Sequence, residues 1–261
     1  LAYVVDASAA RVVAFNQDGT VAHKWGSKGS ADGEFSEPWG IAVAGNGDVY
    51  VADTWNHRVQ RFDGSGKFLG KWGGFVDAKG GLDVRPGSFW GPRKVAVAPD
   101  GRVLVTDAGN KRVQVFESDG RFVTMFGGEG TDPGALREPV GLAVDAAGSV
   151  YVADTWNRRI QKFDSSYRPV AQILISDWEG QSVANKPYLA VDNQGFIYYT
   201  DPEKARFSVL SPSGNLEGSR GAAGSDPSSF NNPTGIAVSG SGEVYVADTR
   251  NGRVVRYQSW R

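Results

Sequence analysis

Six aspartates, each followed five residues later by an arginine, form the most regular set of charged side chains in the sequence. The pairs are Asp6 and Arg11, Asp53 and Arg58, Asp107 and Arg112, Asp154 and Arg159, Asp201 and Arg206, and Asp248 and Arg253. A carboxylate and a guanidinium at this spacing can bind a ligand, or they can hold a turn through charge-assisted hydrogen bonds. A single ligand site would not need six identical copies, so we interpret these residues as structural.

Residue types that support metal or nucleophile chemistry are scarce. The chain has no Cys and two His, His23 and His57, which fall at different positions of the repeat described below, and a His-based zinc site is therefore disfavoured. Asp145 and Asp192 could serve a central calcium site, but the equivalent positions are Ala44, Ala98 and Ser239. No GxSxG motif occurs, and the glycine-rich connectors lack the strand-to-helix context of a phosphate loop. We expect no catalytic residue, no metal and no cofactor.

Aromatic and basic residues in the variable turns and links are the better candidates for ligand binding. The candidates are Trp39, Trp55, Trp90, Arg93, Lys94, Trp156, Tyr188 and Arg250. Trp beside Arg is frequent at interaction hot spots. Trp39, Trp90 and the link from Gly73 to Gly91 depart from the repeat, which favours a function. Trp55 and Trp156 share the motif DTWN, so each could equally well cover its own repeat.

The elements that must position these residues come from a repeat. The six aspartates are spaced by 47, 54, 47, 47 and 47 residues, and the stretch VYVADTWNHRVQRF at 49–62 returns as VYVADTWNRRIQKF at 150–163. Nine residues after each aspartate the chain has Phe15, Phe62, Phe116, Phe163, Leu210 and Tyr257. We expect these side chains to fill the space between neighbouring repeats. The regularity indicates a repeat architecture rather than a duplicated active site.

Each repeat predicts four short strands. Apolar runs such as GIAV at 40–43 are typical of a strand buried on both faces, and RVQRF at 58–62 alternates with a period of two. VYVAD precedes that strand, FLGKWG follows it, and pairs of Gly, Asn and Asp mark the turns. Six such units predict an all-β fold, a six-bladed β-propeller of four-stranded antiparallel blades.

Residues 1–261 are interpreted as one propeller domain with incomplete first and last blades. The first repeat, starting at Leu1, would supply its last three strands, and the sixth, ending at Arg261, its first three. The sum is 22 strands where six complete blades need 24. We therefore expect this segment to be a fragment of a larger protein whose preceding residues supply the absent strands.

The string PWGIAV…GDVYVADTWNHRVQRF resembles the NHL repeat, a β-propeller module. The aspartate, the arginine and an asparagine three residues after the aspartate recur together, the asparagines being Asn56, Asn110, Asn157 and Asn251. The fifth repeat has Lys204 there, and its YYTD is similar to the YWTD propeller repeat. WD40 fits less well because no repeat closes on a WD dipeptide. The regularity is similar to that of bacterial NHL modules.

This resemblance implies a non-catalytic recognition scaffold. It would bind a protein, peptide or glycan on the face formed by the inter-blade links and the turns between second and third strands. Some NHL propellers bind RNA on this face, which is the first alternative. The second is a metal-dependent enzyme similar to peptidyl-hydroxyglycine amidating lyase, whose propeller holds zinc with histidines, or to a lactonase.

Composition narrows these alternatives. Lys plus Arg number 28 and Asp plus Glu 29, giving a formal net charge of −1, whereas nucleic-acid binding usually leaves a basic surplus. Arg93, Lys94, Lys111, Arg158 and Arg250 could form a basic rim, but Glu37, Glu138 and Glu203 interrupt it. We expect no membrane insertion by this segment, although the parent protein could be membrane-tethered. The resemblance favours an extracytoplasmic location in a bacterium.

Overall fold

Strands account for nearly all of the regular structure in this computed structural model, which describes residues 1–78, 85–178 and 186–260. In these residues 22 strands form six antiparallel sheets, the blades of a six-bladed β-propeller. The all-β propeller predicted from the repeat is confirmed. No helix in the described ranges has the length and apolar character needed to cross a membrane.

The chain divides into two compact units, Leu1–Arg137 and Glu138–Arg261. The interpretation of residues 1–261 as one domain stays a prediction. The first unit contains a three-stranded sheet (β1–β3) and two four-stranded sheets (β4–β7 and β8–β11). Its strands are β1 (Ala2–Asp6), β2 (Arg11–Phe15), β3 (Val21–Trp25), β4 (Pro38–Val43), β5 (Val49–Asp53), β6 (Arg58–Phe62), β7 (Phe68–Gly73), β8 (Pro92–Val97), β9 (Val103–Asp107), β10 (Arg112–Phe116) and β11 (Phe122–Gly127).

The second unit contains two four-stranded sheets (β12–β15 and β16–β19) and a three-stranded sheet (β20–β22). Its strands are β12 (Pro139–Val144), β13 (Val150–Asp154), β14 (Arg159–Phe163), β15 (Pro169–Leu174), β16 (Leu189–Val191), β17 (Ile197–Asp201), β18 (Arg206–Leu210), β19 (Leu216–Arg220), β20 (Pro233–Val238), β21 (Glu243–Asp248) and β22 (Arg253–Ser259). Three single 3₁₀ turns follow β5, β13 and β21 at Thr54–Asn56, Thr155–Asn157 and Thr249–Asn251.

Burial within a blade differs from the expectation in two ways. The second strands β5, β9, β13 and β17 are buried at every position, whereas the inner strand β4 leaves Val43 45% exposed. An inner strand has a partner strand on one side only, so part of it stays open. The polar positions of the third strands, such as Arg58 and Gln60 of β6, are also buried, because they bond to the aspartate of the blade.

The recurring aromatic residue fills the space between neighbouring blades of the first unit, as expected. The Phe62 ring lies 5.7 Å from the Trp25 ring of the preceding sheet. The Phe116 ring lies 5.5 Å from that of Trp72 in the same way. Both phenylalanines are fully buried. Apolar burial at about 25 cal/mol per Å² makes these aromatic contacts a main source of blade-to-blade stability.

Candidate functional site

The aspartate of each blade ends its second strand and accepts hydrogen bonds within its own turn. Oδ2 of Asp53 accepts from Arg58 Nε at 2.7 Å, from Asn56 Nδ2 at 2.8 Å and from Gln60 Nε2 at 3.1 Å. Oδ1 accepts the backbone N–H of Ser36 at 2.7 Å. Both oxygens of this carboxylate therefore accept hydrogen bonds, one from the turn and its strand and the other from the link before the blade.

Arg58 fixes that link from the other side. Its terminal nitrogens donate to the carbonyl oxygens of Ser30, Ala31 and Glu34, each at 2.8 Å. The side chains of Arg58 and Asp53 are 9% and 0% exposed. Such a buried pair is tolerated when its remaining polar atoms are hydrogen-bonded, as they are here.

In all six blades the arginine lies beside the aspartate of its own blade, and one pair is looser. The Nε to Oδ2 distances are 3.1 Å for Arg11 and Asp6, 2.7 Å for Arg58 and Asp53, 2.8 Å for Arg112 and Asp107, 2.7 Å for Arg159 and Asp154, 3.7 Å for Arg206 and Asp201, and 2.8 Å for Arg253 and Asp248. Burial raises the pKa of Asp107, against the opposing effect of its hydrogen bonds and of Arg112. In the part of the chain that the structure describes, no three His, Cys, Asp or Glu residues are grouped as a metal site requires.

Five aromatic side chains and one arginine of the first unit form a continuous patch, which we call the Arg93 surface. Its members are Trp39, Trp55, His57, Phe75, Trp90 and Arg93. The Cζ atom of Arg93 lies 4.9 Å from the ring centre of Trp39 and 5.9 Å from that of Trp55. Trp55, Phe75 and Trp90 are 45%, 58% and 37% exposed. Large apolar side chains are thus presented to solvent around a cation.

The rings contact each other in sequence across this surface. Ring centres are 6.3 Å apart for Trp55 and His57, 4.8 Å for His57 and Phe75, and 6.2 Å for Phe75 and Trp90. The interplanar angles are 83°, 54° and 82°, so the rings meet edge to face or tilted, the arrangements that aromatic pairs prefer. The backbone N–H of Gly91 donates to Nδ1 of His57 at 3.1 Å and fixes this imidazole.

Three elements position the Arg93 surface. Trp39 and Arg93 are the second residues of the inner strands β4 and β8, and Trp55 and His57 belong to the turn after β5. Phe75 and Trp90 lie in the link between β7 and β8. That link is held by a parallel bridge between Phe75 and Phe89. The middle of the predicted insertion from Gly73 to Gly91, residues 79–84, lies outside the described residues.

Trp90 is held in place by a glycine in the next turn. A Cβ atom on Gly109 would lie 2.5 Å from the Trp90 ring, which is closer than real contacts allow. Gly109 occupies the turn position that holds Trp55 in the preceding blade, so the absence of a side chain there makes room for Trp90. The N–H of Gly109 also donates to the Trp90 carbonyl at 2.9 Å.

Charged neighbours of the Arg93 surface are already engaged. Nε1 of Trp55 donates to Oε2 of Glu37 at 3.0 Å. Nζ of Lys94 donates to the Ile41 carbonyl at 3.1 Å, and burial lowers the pKa of this lysine to about 8. The amine of Lys94 therefore bonds within the inner strands, whereas the guanidinium of Arg93 lies against the indole rings.

The second unit holds the remaining candidate residues. Trp156 is 48% exposed, and Nζ of Lys186 lies 5.3 Å from its ring centre. Tyr188 is 3% exposed, and its backbone N–H donates to Thr200 Oγ1 at 2.9 Å. Arg250 is exposed and lines a cavity of ≈ 480 Å³ together with Glu203. This cavity is shallow and mixed in polarity.

The sequence model of the NHL repeat matches residues 35–62, 89–116, 136–163 and 230–257. Each matched stretch spans an inner, a second and a third strand, so the match and the observed blades agree in register. The chain belongs to the NHL-repeat propeller family. The resemblance inferred from the aspartate, asparagine and arginine spacing is confirmed.

Known relatives of this NHL propeller share only short stretches with it. Protein brain tumor of Drosophila melanogaster is 34% identical over 100 residues, which is 38% of this chain and 9% of that protein. Peptidylglycine alpha-amidating monooxygenase of Rattus norvegicus is 36% identical over 94 residues, which is 35% of this chain and 9% of that protein. The matched stretch thus spans less than a tenth of either relative.

Solved structures extend the likeness in fold to nearly the whole chain. The virginiamycin B lyase of Staphylococcus aureus superposes with a TM-score of 0.60 and 13% identity, covering 99% of this chain and 80% of that one. At this identity the likeness concerns the fold. The function of the NHL propeller has to be inferred from its own side chains.

Sequence reasoning missed two members of the Arg93 surface and one structural partner. The sequence raises His57 only as a possible zinc ligand and disfavours that role, and Phe75 has no aromatic counterpart in the other repeats. Gln60 is fully buried and bonds to Asp53, as Gln114 and Gln161 bond to their own aspartates. The recurrence of glutamine at the middle position of three third strands was the available signal for these residues.

Proposed function

We propose that this NHL propeller is a recognition module that binds a peptide segment of a partner protein on the Arg93 surface. The observation that carries the proposal is the unbroken series of ring contacts from Arg93 to Trp90, exposed along one side. Aromatic residues and arginine are the side chains enriched in the buried centres of protein interfaces.

Preorganisation also supports this function. Hydrogen bonds from Gly91 to His57 and from Trp55 to Glu37 fix two of the side chains before any partner arrives. Gly109 leaves Trp90 a defined position. A surface whose side chains are already ordered loses less conformational entropy on binding, which favours affinity.

An RNA strand fits the Arg93 surface less well than a peptide does. Single-stranded RNA needs a series of cations along its phosphates, in addition to stacking rings. The Arg93 surface has one guanidinium, its neighbour Lys94 bonds to a carbonyl, and the carboxylate of Glu37 lies at Trp55. A peptide that buries apolar side chains and places one polar group is the better match.

The test is selection from a random phage-displayed peptide library on the immobilised protein. The selected peptides are synthesised, and their Kd is measured by fluorescence anisotropy. We expect Trp55→Ala to weaken binding by at least about tenfold, because a hot-spot tryptophan contributes more than about 1.4 kcal/mol. Trp156→Ala is the matched control, since Trp156 has the same motif and similar exposure in the second unit. It should change the Kd by less than about twofold.

Three results would contradict the proposal. One is the absence of any peptide enriched over the starting library. Another is equal enrichment on wild-type protein and on folded Trp55→Ala. The third is tight binding of an RNA or glycan probe that competes with every selected peptide and is insensitive to Trp55→Ala.

A further inference from the structure

Arg93 differs from the other buried arginines of the chain. Four arginines are buried in the described ranges: Arg58, Arg93, Arg112 and Arg159. Three of them donate to the aspartate of their own blade. Arg93 is 8% exposed, yet within the part of the chain that the structure describes its guanidinium has only the two indole contacts and neither a hydrogen bond nor an ion pair.

Partial burial of a guanidinium without an acceptor is unfavourable, because the charge loses part of its hydration and gains no partner in return. The two indole contacts offset part of this cost. Cζ of Arg93 lies over both indole rings, and a guanidinium in such a contact still has five N–H donors in its plane. Arg93 can therefore keep its contact with Trp39 and donate two parallel hydrogen bonds to a carboxylate, which is the bidentate geometry that guanidinium groups favour.

We infer that Arg93 pairs with the side-chain carboxylate of an aspartate or glutamate in the bound peptide, while a neighbouring apolar side chain of that peptide packs on Phe75 and Trp90. The inference rests on the proposed function and names the chemistry of its ligand. Charge complementarity carries it, since exposed aromatic rings surround a guanidinium that has no ion-pair partner among the described residues.

A singly charged carboxylate suits the site better than a phosphate. A doubly charged phosphate would call for a second cation, and the adjacent Lys94 already donates to Ile41. The carboxylate of Glu37, which accepts a hydrogen bond from Trp55, adds negative charge beside the Arg93 surface. A side-chain carboxylate on its methylene stem also reaches a recessed guanidinium while the peptide backbone stays above the rings.

The experiment uses the selected peptides on the intact chain. We expect them to contain Asp or Glu next to Leu, Phe, Tyr or Trp. Replacing that acid with its amide, Glu→Gln or Asp→Asn, should weaken binding to the wild-type protein by at least about tenfold. Arg93→Gln should weaken binding of the acidic peptide by a similar factor and leave binding of the amide peptide nearly unchanged. Such a double-mutant cycle shows that Arg93 and the peptide acid interact with each other. Arg93→Lys should restore part of the affinity.

The outcomes separate this inference from the proposed function. Peptides that bind through Trp55 but lack an acid, or whose affinity is unchanged by their amide form, overturn the inference and leave the proposed function standing. Peptides that do not depend on Trp55 overturn both. Circular dichroism tests whether Arg93→Gln is folded. If this variant is unfolded, the amide substitution in the peptide still tests whether the acid contributes to binding, because that substitution leaves the protein unchanged.

Discussion

Nε of Arg206 lies 3.7 Å from Oδ2 of Asp201, whereas the same atoms are 2.7 Å apart in Arg159 and Asp154. The fifth repeat explains the difference. It has Lys204 where four of the other repeats have an asparagine, and Ser208 where three of them have a glutamine, so two donors to the carboxylate are absent. Arg206 instead pairs with Asp177 in the preceding link.

Asp201→Asn should therefore be tolerated better than Asp154→Asn. Oδ2 of Asp201 has no hydrogen-bond donor among the described residues, and burial raises the pKa of this carboxyl. Arg206 keeps Asp177 when Asp201 is neutralised, so we expect a loss of under about 2 kcal/mol. Asp154→Asn leaves Arg159 charged and buried without its carboxylate, which costs about 3–5 kcal/mol. Denaturant unfolding of both variants measures the difference, and equal losses would show that the looser pair is not weaker.

Gly109→Ala should displace Trp90 from the Arg93 surface. The added methyl group would lie 2.5 Å from the indole and 2.7 Å from the Trp90 carbonyl, so the ring or the turn must move. We expect destabilisation of about 1–3 kcal/mol, typical of overpacking, and weaker peptide binding. Gly45→Ala is the control, since its Cβ meets no atom within 4 Å. Unfolding curves and Kd values that match those of Gly45→Ala would contradict the assigned position of Trp90.

The stability of the wild-type protein should fall more between pH 7 and pH 5 than that of His57→Asn. Burial lowers the pKa of His57 below its usual 6.5, although Asp53 opposes the shift. Below pH 6.5 the unfolded chain therefore binds a proton that the folded chain resists, so the stability contributed by this group is present above 6.5 and is lost as the pH falls. Protonation of Nδ1 also removes the acceptor for Gly91.

Asparagine suits this substitution because His57 has a φ of 54°, a conformation that asparagine adopts more readily than most residues. The comparison is made by urea unfolding of both proteins across the pH range. Parallel pH profiles would mean that His57 does not resist protonation in the folded state.

Repetition made the blades predictable from sequence. Each copy of the repeat has to form the same strands and bury a large side chain at the same position. A strand that is weakly indicated in one copy is therefore supported by the equivalent positions of the other five. Burial was harder to predict. The alternation of RVQRF indicates a half-exposed strand, yet Arg58 and Gln60 are buried because their partner Asp53 lies in the neighbouring strand.

The Arg93 surface could be predicted in part. Trp39 and Arg93 occupy the same position of successive repeats, which places them side by side once the blades are known. The contact between Phe75 and His57 was not predicted, because the other repeats have no aromatic residue at the position of Phe75. The equivalent link positions hold Lys28, Glu129 and Ala223. Periodicity carries no information where the repeat is interrupted.

Peptide binding at the Arg93 surface is tested most directly by finding which of the eight tryptophans of the chain lie next to a bound peptide. Indole ¹⁵N–¹H NMR signals, assigned by single Trp→Phe substitutions, report each ring separately during a titration with a selected peptide. We expect the signals of Trp39, Trp55 and Trp90 to shift, and those of Trp156 and the buried Trp178 to stay unchanged. Shifts confined to Trp156, or spread equally over Trp55 and Trp156, would contradict a binding site at the Arg93 surface.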